Sequence, residues 1–223
     1  MSSPTIRSIH VGRPKTMHDE RGDWISSIAR ERVDGPISVH SAALEGDKVA
    51  QPYHGGPDGA ICVHLADHYR FWNERYGMAL DEGGLGENLV LDGMTEDQIH
   101  IGDTIQIGTA LVQVSGPRVP CANQARHVGS SEWIKLTIRE NRTGFYLRVL
   151  ETGTIRAGDR WELRERFNQA GSIAAVNRCF YLDFDSVLAE KFATLDGLAE
   201  WWKQQFREKL KTRGQHWSQR ITE

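Results

Sequence analysis

Apolar residues along the first three quarters of the chain come in short β-branched runs cut by turn residues. Val11, Ile37–Val39, Ile61–Val63, Leu89–Leu91, Ile99–Ile101, Ile105–Ile107, Leu111–Val114, Phe145–Val149 and Trp161–Leu163 each read as a strand. Their number and shortness predict a mainly β fold, a barrel or a strongly curved sheet. Gly-Asp pairs recur between the runs, at Gly46-Asp47, Gly102-Asp103 and Gly158-Asp159. This is tight-turn chemistry, because Gly accepts positive φ and Asp bonds nearby backbone N–H groups. Three such turns do not make a repeat protein.

Helical periodicity interrupts the strands. Leu65, Tyr69, Trp72 and Tyr76 share a stripe, and Gly77 follows as a C-terminal cap. Ser130 or Ser131 is placed to cap a helix through Trp133, Ile134 and Ile138. Beyond a seam at Arg164 to Ala170 the period changes for good. Ile173–Val176, Val187–Phe192 and Leu198–Leu210 read as three short helices, the last with a cap at Thr194 to Asp196 and an end at Gly214. Two units are therefore expected: a β-barrel over 1–165 and a three-helix domain over 170–223. So small a helical unit is marginal alone and should pack on the barrel or on a second subunit. Its aromatic residues, Phe180, Tyr181, Phe184, Phe192, Trp201, Trp202, Phe206 and Trp217, favour a homodimer. The cluster Lys203, Arg207, Lys209, Lys211 and Arg213 reads most simply as a solvated face near the negative helix end, the alternative being a docking patch for an acidic partner.

Composition narrows the class. The 223 residues are 39% hydrophobic, enough to fill a core, and the net charge of -3 gives no footprint for nucleic acid. No apolar run approaches a membrane span, and the segment from Met1 to Pro14 lacks a secretory apolar region. Cys62, Cys121 and Cys179 are far apart and odd in number, which argues for a reducing compartment. A cytoplasmic protein that binds neither membrane nor nucleic acid is expected, and the sequon at Asn141-Arg142-Thr143 reads as chance.

Common catalytic motifs are missing. There is no phosphate-binding loop, Gly83-Gly84-Leu85-Gly86 is not a dinucleotide fingerprint, and His54-Gly55-Gly56 has no accompanying nucleophile elbow. Neither CxxC nor HExxH occurs. Three polar, glycine-rich loops remain: Tyr53 to Ala60, Gly84 to Leu89, and Ser115 to Gln124. In the third, Gly116, Pro117 and Pro120 fix the path, so Cys121 sits on a rigid scaffold with Arg118 and Arg126 nearby. Positive neighbours favour the thiolate, the form that ligates metals or attacks, and a soft thiolate suits a thiophilic metal. The rival reading is an inert thiol. Cys62 and Cys179 lie in core-like segments and read as core residues.

These loops, in this order, resemble the MOSC domain, and most closely its YiiM-type branch. The resemblance is carried by Leu44-Glu-Gly46-Asp47, His54-Gly-Gly-Pro-Asp58, Gly86-Glu-Asn88-Leu89, Ile101-Gly-Asp103 and Ser115-Gly-Pro-Arg118-Val-Pro-Cys121, with Ser172 to Gly214 matching a three-helix extension. The resemblance implies a barrel-like fold that binds molybdenum cofactor through Cys121, next to the dithiolene of a pterin. It also implies reduction of N-hydroxylated compounds, hydroxylamino-purines and amidoximes among them, with electrons from a separate flavoprotein. By position, Asp58 falls where some relatives place an acidic residue at the metal's open face. Asn88 falls where an amide touches the cofactor. His54 and Arg118 lie where the cofactor phosphate or the substrate is met, with Gly55 and Gly56 beside them, and Lys48 and Arg126 are further candidates. Each also has a bland reading: Asp58 closing a Pro-Asp-Gly turn, Asn88 a cap, His54 a satisfied core histidine, Arg118 half of a surface ion pair. Two departures stand out. The chain is expected to lack the additional N-terminal domain of the mitochondrial amidoxime-reducing relatives, and Gly86 stands where they carry a basic residue. Two other functions need the same cysteine: sulfur carriage on a Cys121 persulfide, and storage or delivery of finished cofactor.

Overall fold

The computed structural model describes residues 3–51 and 54–212. Twelve strands are present among them: β1 (Thr5–Val11), β2 (Lys15–Asp19), β3 (Gly22–Ser26), β4 (Glu31–Arg32), β5 (Ile37–Val39), β6 (Ile61–Leu65), β7 (Leu89–Asp92), β8 (Thr104–Ile107), β9 (Ala110–Pro117), β10 (Phe145–Glu151), β11 (Gly153–Ile155) and β12 (Glu162–Glu165). Eight of them form one curled sheet in the order β12-β8-β9-β10-β6-β7-β1-β4, a half-barrel. Every pair in it is antiparallel except β6 with β7. The pairs β5–β11 and β2–β3 stand apart as two-stranded ribbons. The mainly β class expected from the short runs is the class found.

Tight turns punctuate the strands. Gly46, Gly102 and Gly158 have φ of 77°, 81° and 92°, and the Asp that follows each accepts a backbone N–H: Asp47 from Gly12, Asp103 from His100, Asp159 from Arg156. The turn at Gly102 is why Ile99–Ile101 is not the strand expected from its sequence. Only His100 makes an isolated bridge, to Ser172.

Helix α1 (Ala66–Tyr76) ends at Gly77 with φ 62°, as its stripe predicts. It packs with α3 (Trp133–Arg139) through Tyr69, Trp72 and Trp133, outside the sheet. No serine side chain caps α3; Glu132 holds that position without a side-chain bond. Helix α2 (Ala122–Val128), directly after Cys121, was not signalled by any apolar stripe.

The C-terminal segments form α4 (Ile173–Asn177), which runs on into a π turn over Arg178–Leu182, then α5 (Ser186–Phe192) and α6 (Glu200–Lys211). Ser172 caps α4 by accepting the Ala175 N–H. The cap expected for α6 at Thr194 to Asp196 is absent; its N-cap is Ala199, whose N–H goes to the Ser115 carbonyl of β9. Ile173, Phe180, Trp202 and Phe206 join the same core as Ile61, Val63, Val114 and Leu147 of the sheet. Lys209 is buried, bonded to the Phe180 carbonyl and lying over the Phe180 and Phe184 rings, so it is no part of a solvated basic face. Arg213, Gly214 and Trp217 lie outside the described residues, as does Tyr53. Among the described residues no helix is long and apolar enough to cross a membrane.

Candidate functional site

Strand β6 is buried at every position. Alternation sends Ile61, Val63 and Leu65 into the main core, and Cys62 and His64 to the opposite face. Tyr146 of β10 is the register partner of Cys62 and shares that face. Asn88 locks the floor from the side. Its amide oxygen accepts the Cys62 N–H at 3.0 Å, its amide nitrogen donates to the His10 carbonyl at 3.2 Å, and its own N–H donates to the Cys62 carbonyl at 2.8 Å.

Over this floor lies a cavity of about 460 Å³, within the usual range for small-molecule sites. Cys121, Arg118 and Asn88 line it together with His54, Gly55, Gly56, Lys48 and Gly86. The structure therefore brings together most of the residues the sequence singled out. Cys121 stands in extended conformation at the start of α2, partly accessible, and its carbonyl accepts the N–H groups of Gln124 and Ala125. The loop before it is tied down by the Arg118 N–H on the Gly144 carbonyl and the Trp202 indole N–H on the Pro117 carbonyl, both at 2.9 Å.

Two sequence candidates face elsewhere. Asp58, in a single helical turn at Pro57–Gly59, is not among the lining residues. Its carboxylate pairs with Arg148 at 2.8 Å, and its carbonyl accepts the Ser115 hydroxyl at 2.5 Å. Arg126 turns away to Asp19 and the Gly22 carbonyl, with its guanidinium 4.9 Å from the Trp24 ring centroid.

Other lining residues were not singled out. Arg30 enters from the segment after β3, paired with Asp47 and donating to the Gly86 carbonyl at 3.0 Å. Cys62, read from sequence as core, also lines the cavity, as does Tyr146. Period-2 alternation along Phe145-Tyr146-Leu147 was the available signal for Tyr146; Arg30 carried none.

Burial separates the two thiols. Burial raises the pKa of Cys62 despite nearby Arg118 and Arg30, so Cys62 is held as a thiol. The more accessible Cys121 is the soft donor this cavity offers. Burial lowers the pKa of His54, and Arg118 adds to the effect, so its imidazole is neutral at pH 7. Arg30 is neutralised by Asp47, leaving Lys48 and Arg118 to set a positive lining. Gly55, Gly56 and Gly86 have φ of 116°, 90° and 76°. A side chain at Gly86 would put its Cβ 2.7 Å from Ile28 and 3.3 Å from Arg118. A thiol donor, a positive wall and a backbone cradle fit a metal cofactor that carries a phosphate.

A sequence model of the MOSC domain matches residues 50–162, which hold the glycine loop, β6, Asn88 and Cys121. This chain belongs to the MOSC domain family. MOSC domains are associated with molybdenum-cofactor binding, and the family is one of cofactor-associated enzymes. The chain is 34% identical to the uncharacterized protein YflK of Bacillus subtilis over 92% of its own length and 94% of that protein. It is 35% identical to a reductase of Gibberella moniliformis over 70% of its length, a match that covers 29% of that longer protein. The crystal structure of YiiM from Geobacillus stearothermophilus superposes with a TM-score of 0.79 at 35% identity, covering 93% of this MOSC chain and 99% of that one.

Proposed function

We propose that the chain binds molybdenum cofactor in the 460 Å³ cavity and reduces N-hydroxylated compounds, hydroxylamino-purines to amines and amidoximes to amidines. The carrying observation is that Cys121 and Arg118 line one cavity. The cofactor, when bound, supplies a two-electron redox centre competent to cleave an N–O bond. The overall change is R–NHOH plus two electrons and two protons to R–NH₂ plus water. A separate flavoprotein delivers the electrons in this reading.

Each residue then has a part. Cys121 is the protein ligand to the metal, while Arg118 and Lys48 hold the phosphate. Gly55 and Gly56 let the backbone approach, and Asn88 keeps the floor in register. Arg126 acts from outside the cavity, by holding the β2–β3 ribbon to α2. Neutral His54 lines the cavity, and its imidazole is suited to proton transfer. Asp58, outside the lining and paired with Arg148, serves in this reading as a relay that passes protons towards His54. We place the protein in the cytoplasm, and we assign the C-terminal helices as a second unit that pairs two copies. Trp201, Val187 and Leu182 are exposed large apolar residues on that unit.

The test is molybdenum and pterin content of the chain purified from a cofactor-making host, alongside Cys121→Ala. Near-stoichiometric metal, lost in the variant, with reduction of an N-hydroxylated base by a flavoprotein donor, is expected. No metal in either protein overturns the reading and turns attention to a persulfide on Cys121, sought by mass spectrometry.

A further inference from the structure

Most arginines around the cavity have a carboxylate of their own. Arg30 pairs with Asp47, Arg126 with Asp19 and Arg148 with Asp58. Arg118 differs. It is 6% exposed, and among the described residues no carboxylate lies within ion-pair distance of it. Its Nη1 donates to the Leu85 carbonyl at 2.5 Å and to His64 Nε2 at 3.0 Å, both neutral acceptors. Glu87, which it senses at longer range, has its oxygens taken by Tyr69, Gly83 N–H and Leu85 N–H.

Behind Arg118 the bonding runs in one direction. A guanidinium only donates, so His64 Nε2 must accept. The remaining proton of neutral His64 is then on Nδ1, where it donates to His68 Nδ1 at 3.2 Å. His68 in turn carries its proton on Nε2, which faces Glu96 Oε1 at 3.8 Å. Glu96 Oε1 accepts the Gly144 N–H at 2.7 Å, and the Gly144 carbonyl accepts the Arg118 N–H at 2.9 Å. Glu96 and Gly144 thus lead back to Arg118, with His68 and Glu96 facing each other beyond hydrogen-bond distance, and His64 and His68 are fully buried. Burial keeps both imidazoles neutral, reinforced by Arg118 at His64 and by Arg142 at His68.

We propose that His64 and His68 are positioning residues that hold Arg118 as an uncompensated cation for an anionic group, a phosphate, in the cavity. A carboxylate would fix the guanidinium equally well but cancel its charge; an imidazole accepts the bond and leaves the charge whole. A buried cation without a counter-charge is costly until an anion arrives, which favours binding of that anion. The inference rests on the phosphate-binding role of Arg118 given above.

Calorimetric titration of the full chain with inorganic phosphate tests it, using Arg118→Met, His64→Gln and His64→Asn. A Gln oxygen reaches the place of Nε2 and can still accept from Arg118; an Asn side chain reaches only the place of Nδ1. Arg118→Met and His64→Asn should each weaken phosphate binding about tenfold, with His64→Gln within about threefold of wild type. Equal affinities for His64→Asn and His64→Gln would overturn the positioning role while leaving Arg118 as the phosphate ligand. Unchanged affinity in Arg118→Met would overturn that underlying reading instead. A measurement on the wild-type chain is independent of how the variants fold: imidazole nitrogen NMR should find His64 protonated on Nδ1, and the opposite tautomer ends the proposal.

Discussion

The indole of Trp202 donates to the carbonyl of Pro117 at 2.9 Å, so a residue of α6 holds the loop that leads to Cys121. Gly116 makes the approach possible. A Cβ there would lie 2.7 Å from Trp202 Cδ1, nearer than packed atoms tolerate. Gly116→Ala should therefore destabilise the chain by about 1–3 kcal/mol through overpacking. Trp202→Phe should cost about 1–2 kcal/mol, by stranding the Pro117 carbonyl. Urea denaturation reads both. Stability equal to wild type in Gly116→Ala would mean that α6 yields freely and does not brace the loop.

How much of this was legible beforehand depended on the kind of signal. The β class, α1 with its Gly77 cap and the three Gly-Asp turns followed from local chemistry, which sequence records directly. Helix α2 was hidden because seven residues with one buried side chain, Gln124, make no apolar stripe. The β2–β3 ribbon was hidden for a similar reason: Lys15-Thr-Met-His-Asp19 is polar and mostly exposed. At the site, Cys121, Arg118 and His54 were found through their loops. Tyr146 was marked only by alternation along β10, and Arg30 enters from the segment after β3, where no local pattern ties it to the other loops. The partners of Asp58 and Arg126 were equally out of reach, since Arg148 and Asp19 are 90 and 107 positions away.

The ribbon gives the next prediction. Arg126 makes two bonds to the Asp19 carboxylate, at 2.5 and 2.6 Å, and a third to the Gly22 carbonyl. The pair is partly covered, with 18% and 24% of the two side chains exposed, and solvent still screens it, so Arg126→Ala should lower global stability by no more than about 1 kcal/mol. Its effect should be local: faster amide hydrogen exchange over residues 15–26, with molybdenum content retained. A loss of cofactor in Arg126→Ala would place this residue in direct contact with the ligand instead.

Glu96 makes stability depend on pH. Burial pushes its pKa up to about 8, against the pull of the Gly144 N–H, whereas the unfolded chain titrates near 4.5. Between these values the folded state holds a proton that the unfolded state releases, so this contribution is full below pH 4.5 and fades as pH rises towards 8. His68, depressed to about 3 by burial and Arg142, acts in the opposite sense, losing stability as pH falls from 6.5. Glu96→Gln should remove the alkaline decline alone. From pH 5 to pH 8 the unfolding free energy from urea denaturation should fall in the wild type relative to the variant, by an amount on the order of a few kcal/mol. Parallel pH profiles would show that Glu96 is ionised in the fold.

Asp58 offers the sharpest contrast between chemistry and scaffolding. Its carboxylate is 45% exposed and bonded to Arg148, which also donates to Gln113 at 2.9 Å, so the ion pair itself is worth little stability. Asp58→Asn keeps the shape of the turn and its carbonyl bond from Ser115, but removes the ionisable group. If Asp58 handles protons, turnover of an N-hydroxylated base should fall about a hundredfold with molybdenum content unchanged. Arg148→Gln removes the same ion pair while sparing the carboxylate, and should leave turnover within about tenfold of wild type. Equal losses in the two variants would assign Asp58 to holding the rim, with proton transfer left to His54.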